Sequence, residues 1–241
     1  MHAPIIYIPL AIEWAILITA FLPRFMAGMY YDIPRFGLTL WFTYLGSSVI
    51  ASFSALAITA WGLYEYFLTT WGRDSIEVEL FGTLGLWITV AISGIIISVI
   101  NLKTEPLIID AGIAKKGLIQ TSRQIGEFQG YSLRSLEFSQ PLAFVARVDG
   151  KFSIFVSKSS FETLTESELQ ALYWHELGHI RGHHVLINGI AHTIALFTPM
   201  LKASQILVSE TRELTERMAD NFAKRRVSSE VLESARAKFL E

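Results

Sequence analysis

Leu164-Thr165-Glu166-Ser167-Glu168-Leu169-Gln170-Ala171-Leu172-Tyr173-Trp174-His175-Glu176-Leu177-Gly178-His179-Ile180 is the stretch on which the fold of this chain turns. Thr165 and Glu168 form a capping box, in which hydroxyl and carboxylate satisfy free backbone N–H groups reciprocally, and Leu164 and Leu169 stand at the spacing of a hydrophobic staple. Leu169, Leu172, Tyr173, Leu177 and Ile180 then recur at three and four, which predicts an amphipathic helix running to about His184. Histidines four apart share one helical face, so His175 and His179 can reach one ion. Glu176 stands beside them, placed to take a proton from a water at that ion. Neutral imidazole nitrogens suit zinc, with one coordination position left open for water. The pattern points to one Zn2+ per chain, with Glu176 as the catalytic carboxylate.

Two histidines need a third protein ligand. His183 lies near the same face, but eight residues at 1.5 Å each put it about 12 Å from His175 along the axis, too far to share an ion. The position ten after the first histidine is Val185, which excludes the metzincin arrangement. His183 and His184 fit the helix end, where imidazolium favours the dipole. Downstream, residues 210–226 read as a charged amphipathic helix carrying Glu213, Glu216 and Asp220. Either glutamate would complete a site of two histidines and one glutamate, with Asp220 orienting the second nitrogen of a histidine. Ser228 or Ser229 caps a short final helix. Upstream, 142–148 and 151–157 alternate in hydrophobicity and flank Asp149-Gly150, the two-residue turn favoured where both positions need positive φ. Residues 106–110 and 117–120 read as short strand-like pieces.

Glu168-Leu169-Gln170-Ala171 leading into the histidine motif, Pro141-Leu142-Ala143-Phe144, and Glu216-Arg217-Met218-Ala219-Asp220-Asn221-Phe222-Ala223 together resemble integral-membrane gluzincin metallopeptidases. These are the HtpX-type and CAAX prenyl proteases and the related sensor-transducer peptidases of the β-lactam-response type. The resemblance covers roughly residues 135–225 and implies an α+β zincin-like minimal metallopeptidase domain, with a β-hairpin and an H-E-x-x-H helix. It also implies that Glu216, the glutamate of the Glu-x-x-Ala-Asp element, is the third ligand. Arg181-Gly182-His183-His184 departs from the Asn-x-Asp of HtpX-type sequences and is closer to the sensor-type branch.

Charge is unevenly spread. The first 101 residues carry nine charged side chains and the remaining 140 carry thirty-three. Charge-free runs at 36–64 and 80–102 exceed the roughly 20 residues that span a bilayer, and Trp41, Tyr44, Trp61, Tyr64, Tyr66, Trp71 and Trp87 bracket them as an aromatic belt would. Adding a weaker segment at 4–22, which contains Pro9 and Glu13, gives an expected α-helical membrane bundle of about three transmembrane helices (4–22, 38–64, 80–101) within residues 1–102. The metallopeptidase domain is then 103–241, with a membrane-associated segment near 184–201. Arg24, Arg35, Lys103, Lys115 and Lys116 against the single Arg73 put that domain on the cytoplasmic side of a multi-pass integral membrane protein. If Glu216 joins the histidines, the uncharged run 182–201 cannot make a complete single crossing and must be re-entrant, interfacial or packed against other helices.

A net charge of −2 gives no footprint for nucleic acid. The absence of cysteine excludes disulfides, thiolate metal sites and cysteine nucleophiles. The expected function is a membrane-bound zinc endopeptidase acting on membrane or unfolded proteins near the membrane surface, its partners a peptide substrate and the lipid bilayer. Substrate would add as an extended strand to the 142–148 edge, with Arg212, His183 or Tyr131 as donor to the oxyanion. Two alternatives share the site: a regulatory sensor peptidase cleaving one partner, and a non-catalytic membrane scaffold with structural zinc.

Overall fold

The computed structural model describes residues 22–71, 117–197 and 202–238, with isolated positions before 22 and between 76 and 98. In chain order the elements are α1 (Leu22–Met26), α2 (Pro34–Trp71), β1 (Ser122–Phe128), β2 (Tyr131–Leu136), β3 (Ala143–Val148), β4 (Lys151–Ser157), α3 (Lys158–Thr163), α4 (Glu166–Arg181), α5 (His184–Phe197), α6 (Lys202–Ala223) and α7 (Ser229–Ala237). The strands form one mixed sheet in the order β1-β2-β4-β3. β1 pairs antiparallel with β2, β2 parallel with β4, and β4 antiparallel with β3.

Both hairpins are set by two-residue turns with positive φ at both positions. Asp149 and Gly150 lie at 48° and 81°, and Gln129 and Gly130 at 52° and 83°. The second pair joins β1 to β2, strands that the sequence reading did not assign. A register irregularity between Gln124 and Gly126 breaks the alternation on which such an assignment rests. Residues 117–120, expected as strand, are helical. The 106–110 piece lies outside the described residues.

β4 is an inner strand between β2 and β3, and its Ile154, Phe155 and Val156 are fully buried. Ile154 and Val156 pack with Leu133 of β2 and with Leu172, Leu177 and Ile180 of α4, and Ala235 of α7 closes the same core. α4 begins at the capping box: Thr165 N donates to Glu168 Oε2 at 2.8 Å, and Glu168 N donates to Thr165 Oγ1 at 3.4 Å. A second core joins α2, α5 and α6 through Leu38, Trp41, Ala191, Leu207 and Leu214. The segment ahead of α2 is tied to α6 by the buried Glu210, which accepts from Gly28 N at 3.1 Å and from Tyr31 Oη at 2.9 Å.

The expectation of a membrane bundle is corrected by the structure: among the described residues, no helix is long and apolar enough to cross a membrane. The expected spans 4–22 and 80–101 lie, apart from isolated positions, outside the described residues, while 38–64 falls within α2. α2 carries Gly46, Ser47, Ser54 and Gly62, and the hydroxyls of Thr39 and Ser47 turn back onto carbonyls of their own helix. Its first turns bury Leu38 and Trp41 in a protein core. The transmembrane-helix reading, the multi-pass integral-membrane placement and the topology counted from it fall with that finding. The uncharged run after α4 forms α5, packed beside α6, where Asn188 Nδ2 donates to Thr215 Oγ1 at 3.1 Å.

Candidate metal centre

α4 carries His175 and His179 one turn apart, and their Nε2 atoms lie 3.1 Å apart. α6 crosses α4 at Gly178, where an added Cβ would stand 2.9 Å from Ala219 Cα; only a glycine lets the helices approach this closely. That contact delivers Glu216 and Asp220, which flank Ala219 on α6, to the histidines. Glu216 Oε2 lies 3.4 Å from His175 Nε2, and Glu216 Oε1 lies 3.6 Å from His179 Nε2. His175 Nδ1 donates to Asp220 Oδ1 at 2.9 Å, and Arg236 of α7 pairs with the other oxygen of Asp220. One ligand atom from each of His175, His179 and Glu216 lies within 4.8 Å of the others. Glu213 is turned elsewhere, accepting from Arg217 Nε at 2.8 Å.

The donor set fits a metal ion. Tetrahedral coordination at about 2.1 Å separates ligand atoms by about 3.4 Å, and the observed separations of 3.1, 3.4 and 3.6 Å bracket that value. With the Nδ1 proton of His175 given to Asp220, its Nε2 lone pair faces the cluster. Electrostatics agree. Burial works against charge on His175, but hydrogen bonds to Asp220 and Glu216 and the charge of Glu176 raise its pKa to about 9. Burial likewise opposes charge on Glu216, yet the hydrogen bond to His175 and the charge of His179 bring it down to about 2. The carboxylates thus favour positive charge at the cluster: a proton on His175 without an ion, or the ion itself once it displaces that proton. His179 is lowered to about 4 by burial and by His175. Glu176 is raised to about 7, first by burial and further by Glu216, with His175 opposing.

His175, Glu176, His179 and Glu216 open onto a cleft of about 520 Å³, walled by Ala143, Phe144 and Val145 of β3 and by Asn188, Arg212 and Arg236. Of the three candidate oxyanion donors, Arg212 lines this cleft. Tyr131 packs against the sheet core instead, and His183 sits exposed at the break between α4 and α5 with φ 54°. Three residues escaped the sequence reading. Asn188 was hidden in an uncharged run and Arg236 in a short terminal helix. His184 was assigned to a helix end, as an imidazolium facing the dipole. The structure ends α4 at Arg181, and the left-handed His183 turns the chain so that His184 is 1% exposed, its Nδ1 3.0 Å from His179 Nδ1.

Two histidines from α4 and a glutamate from α6, opening beside a sheet edge, are the layout of a metal-dependent peptidase. Residues 121–232, a little under half of the chain, match the model of peptidase family M48, which supports a metallopeptidase domain of that family over the sheet, α4 and α6. No curated protein matches the chain.

Proposed function

We propose that the protein is a zinc-dependent endopeptidase of the gluzincin type that cleaves extended peptide segments. The observation that carries this reading is the convergence of His175 Nε2, His179 Nε2 and Glu216 at the spacing of a tetrahedral ion, with Glu176 at the same cleft. His175, His179 and Glu216 would hold the metal, which when bound supplies a Lewis acid for the scissile carbonyl and acidifies water. Glu176 is the general base, taking the proton of the attacking water and handing it to the leaving amine; its burial favours the neutral acid and so readies it to return the proton. Asp220 fixes the ring of His175 through Nδ1. Arg212 reaches the cleft as donor to the developing oxyanion.

The edge of β3 opposite β4 has no strand partner among the described residues, and Ala143–Val145 wall the cleft. An extended substrate would add there through backbone hydrogen bonds, which favours unfolded or loop segments.

The test is zinc per chain, measured by atomic emission, together with cleavage of an unstructured peptide. Wild type should hold near one zinc, Glu216→Ala should lose most of it, and Glu176→Gln should keep it while losing about a thousandfold in rate. Cleavage by Glu176→Gln at the wild-type rate, or full zinc in Glu216→Ala, would overturn the reading.

A further inference from the structure

A second cavity, of about 250 Å³, shares no lining residue with the substrate cleft. Three arginines line it: Arg35 in the first turn of α2, Arg181 at the end of α4 and Arg225 just past α6. No acidic side chain lines it. None of the three arginines has an ion pair among the described residues. The chain as a whole holds 22 acids against 20 Lys and Arg, so an uncompensated cluster of three is not its average surface. Like charges around one concavity repel, and an anion relieves that repulsion. Arg181 is seated over the ring of Phe222, 5.9 Å from its centroid.

Gly182 and His184 close its floor, with the His184 ring in the place a Cβ on Gly182 would need, so the cavity is walled by backbone and a buried ring beneath the three arginines.

We propose that this cavity is a binding site for a phosphate group, gripped by Arg35, Arg181 and Arg225 and floored by His184. Three guanidinium forks offer more donors than the two oxygens of a carboxylate take up, and suit a tetrahedral oxyanion. Arg35 lies outside the region matched to the peptidase family, so the site joins the N-terminal helix to the metal-binding domain. The arginine cluster stands independently of the reading of His179 as a metal ligand.

The experiment is calorimetric titration of the zinc-loaded full chain with inorganic phosphate and, separately, with glycerol 3-phosphate. Saturable binding is expected, weakened about tenfold in Arg181→Gln or Arg225→Gln and more in the double variant, and unchanged in Arg147→Gln on β3. A tighter ester assigns the site to an organic phosphate, and equal affinities assign it to the free ion. Both arginines are exposed, so these variants should fold. Binding that ignores the arginine changes, or no saturable binding in wild type, would overturn the proposal. Phosphate is itself a zinc ligand, so the titration is repeated on Glu216→Ala. Binding that disappears there places the ion on the metal and overturns the proposal. Arginine-dependent phosphate binding in a wild-type chain that takes up no zinc would sink the metal reading and leave this one standing.

Discussion

His175 and His179 carry the same side chain on the same helical face, but their second nitrogens meet different partners. His175 donates to a carboxylate, Asp220, which Arg236 holds from the far side, whereas His179 meets a neutral, buried imidazole, that of His184. A carboxylate partner raises ligand basicity, so Asp220→Asn should weaken zinc binding about 10- to 100-fold, measured by competition with a chelating dye. The same substitution should leave the far-ultraviolet circular dichroism unchanged. Glu168 does its work away from this cluster. Lys238 Nζ and Ser234 Oγ donate to its carboxylate at 2.7 and 2.6 Å, and Thr165 N closes the capping box. The hydrogen bond from Lys238, then those from Ser234 and Thr165, lower its pKa from 4.5 to about 2. A lowered folded-state pKa stabilises the fold above the unfolded value, and that contribution fades as pH falls from about 4.5 to about 2. Wild type should therefore exceed Glu168→Gln by about 2 kcal/mol at neutral pH, with the gap closing below pH 4. Urea titrations across that range would check it, and a gap that does not depend on pH would count against it.

Helix α4 joins three separate requirements in one element. Its apolar face packs on β4, its histidine face meets α6, and its cap ties it to α7 through Glu168. The crossing at Gly178 is the tightest of these contacts. Gly178→Ala must push Ala219 away and should cost about 1–3 kcal/mol, lowering zinc occupancy at the same time because Glu216 and Asp220 flank the displaced residue. Gly189 in α5 makes the opposite case, since an added Cβ there meets nothing within 4 Å. Gly189→Ala should therefore be neutral or stabilise by up to about 1 kcal/mol. Thermal denaturation of the two variants side by side tests whether close helix approach, rather than helix propensity, governs the first. At this scale the sequence was legible wherever the signal was local. The capping box, the Asp149-Gly150 turn and the Ser228 cap each involve residues within a few positions of one another. β1 and β2 were missed because β1 is largely exposed and its register shifts midway.

In the whole molecule, a metal at the centre would bridge α4 to α6 and so connect the sheet-based core with the helical one. A ligand that binds only the folded chain adds stability by mass action, about 4 kcal/mol when free zinc stands a thousandfold above its dissociation constant. Chelation should accordingly lower the melting temperature by several degrees and make it depend on zinc concentration. An unchanged melting temperature after complete zinc removal would mean that the two cores are held together without it. The sequence alone determined the histidine pair and the carboxylate beside it, because a helix has a fixed period and residues four apart must share a face. It also placed Glu213, Glu216 and Asp220 on one downstream helix. The residues alone left Glu213 and Glu216 open and only the resemblance implied Glu216, because 35 positions separate Arg181 at the end of α4 from Glu216 and the Gly178–Ala219 crossing decides which carboxylate arrives. The same holds for the N-terminal half. An absence of charge can be read from sequence, but what packs against an uncharged face is a property of the fold, and α2 lays Leu38 and Trp41 against α5 and α6. His184 makes the point at a single residue: one left-handed residue before it turns an expected helix-end imidazolium into a buried partner of His179.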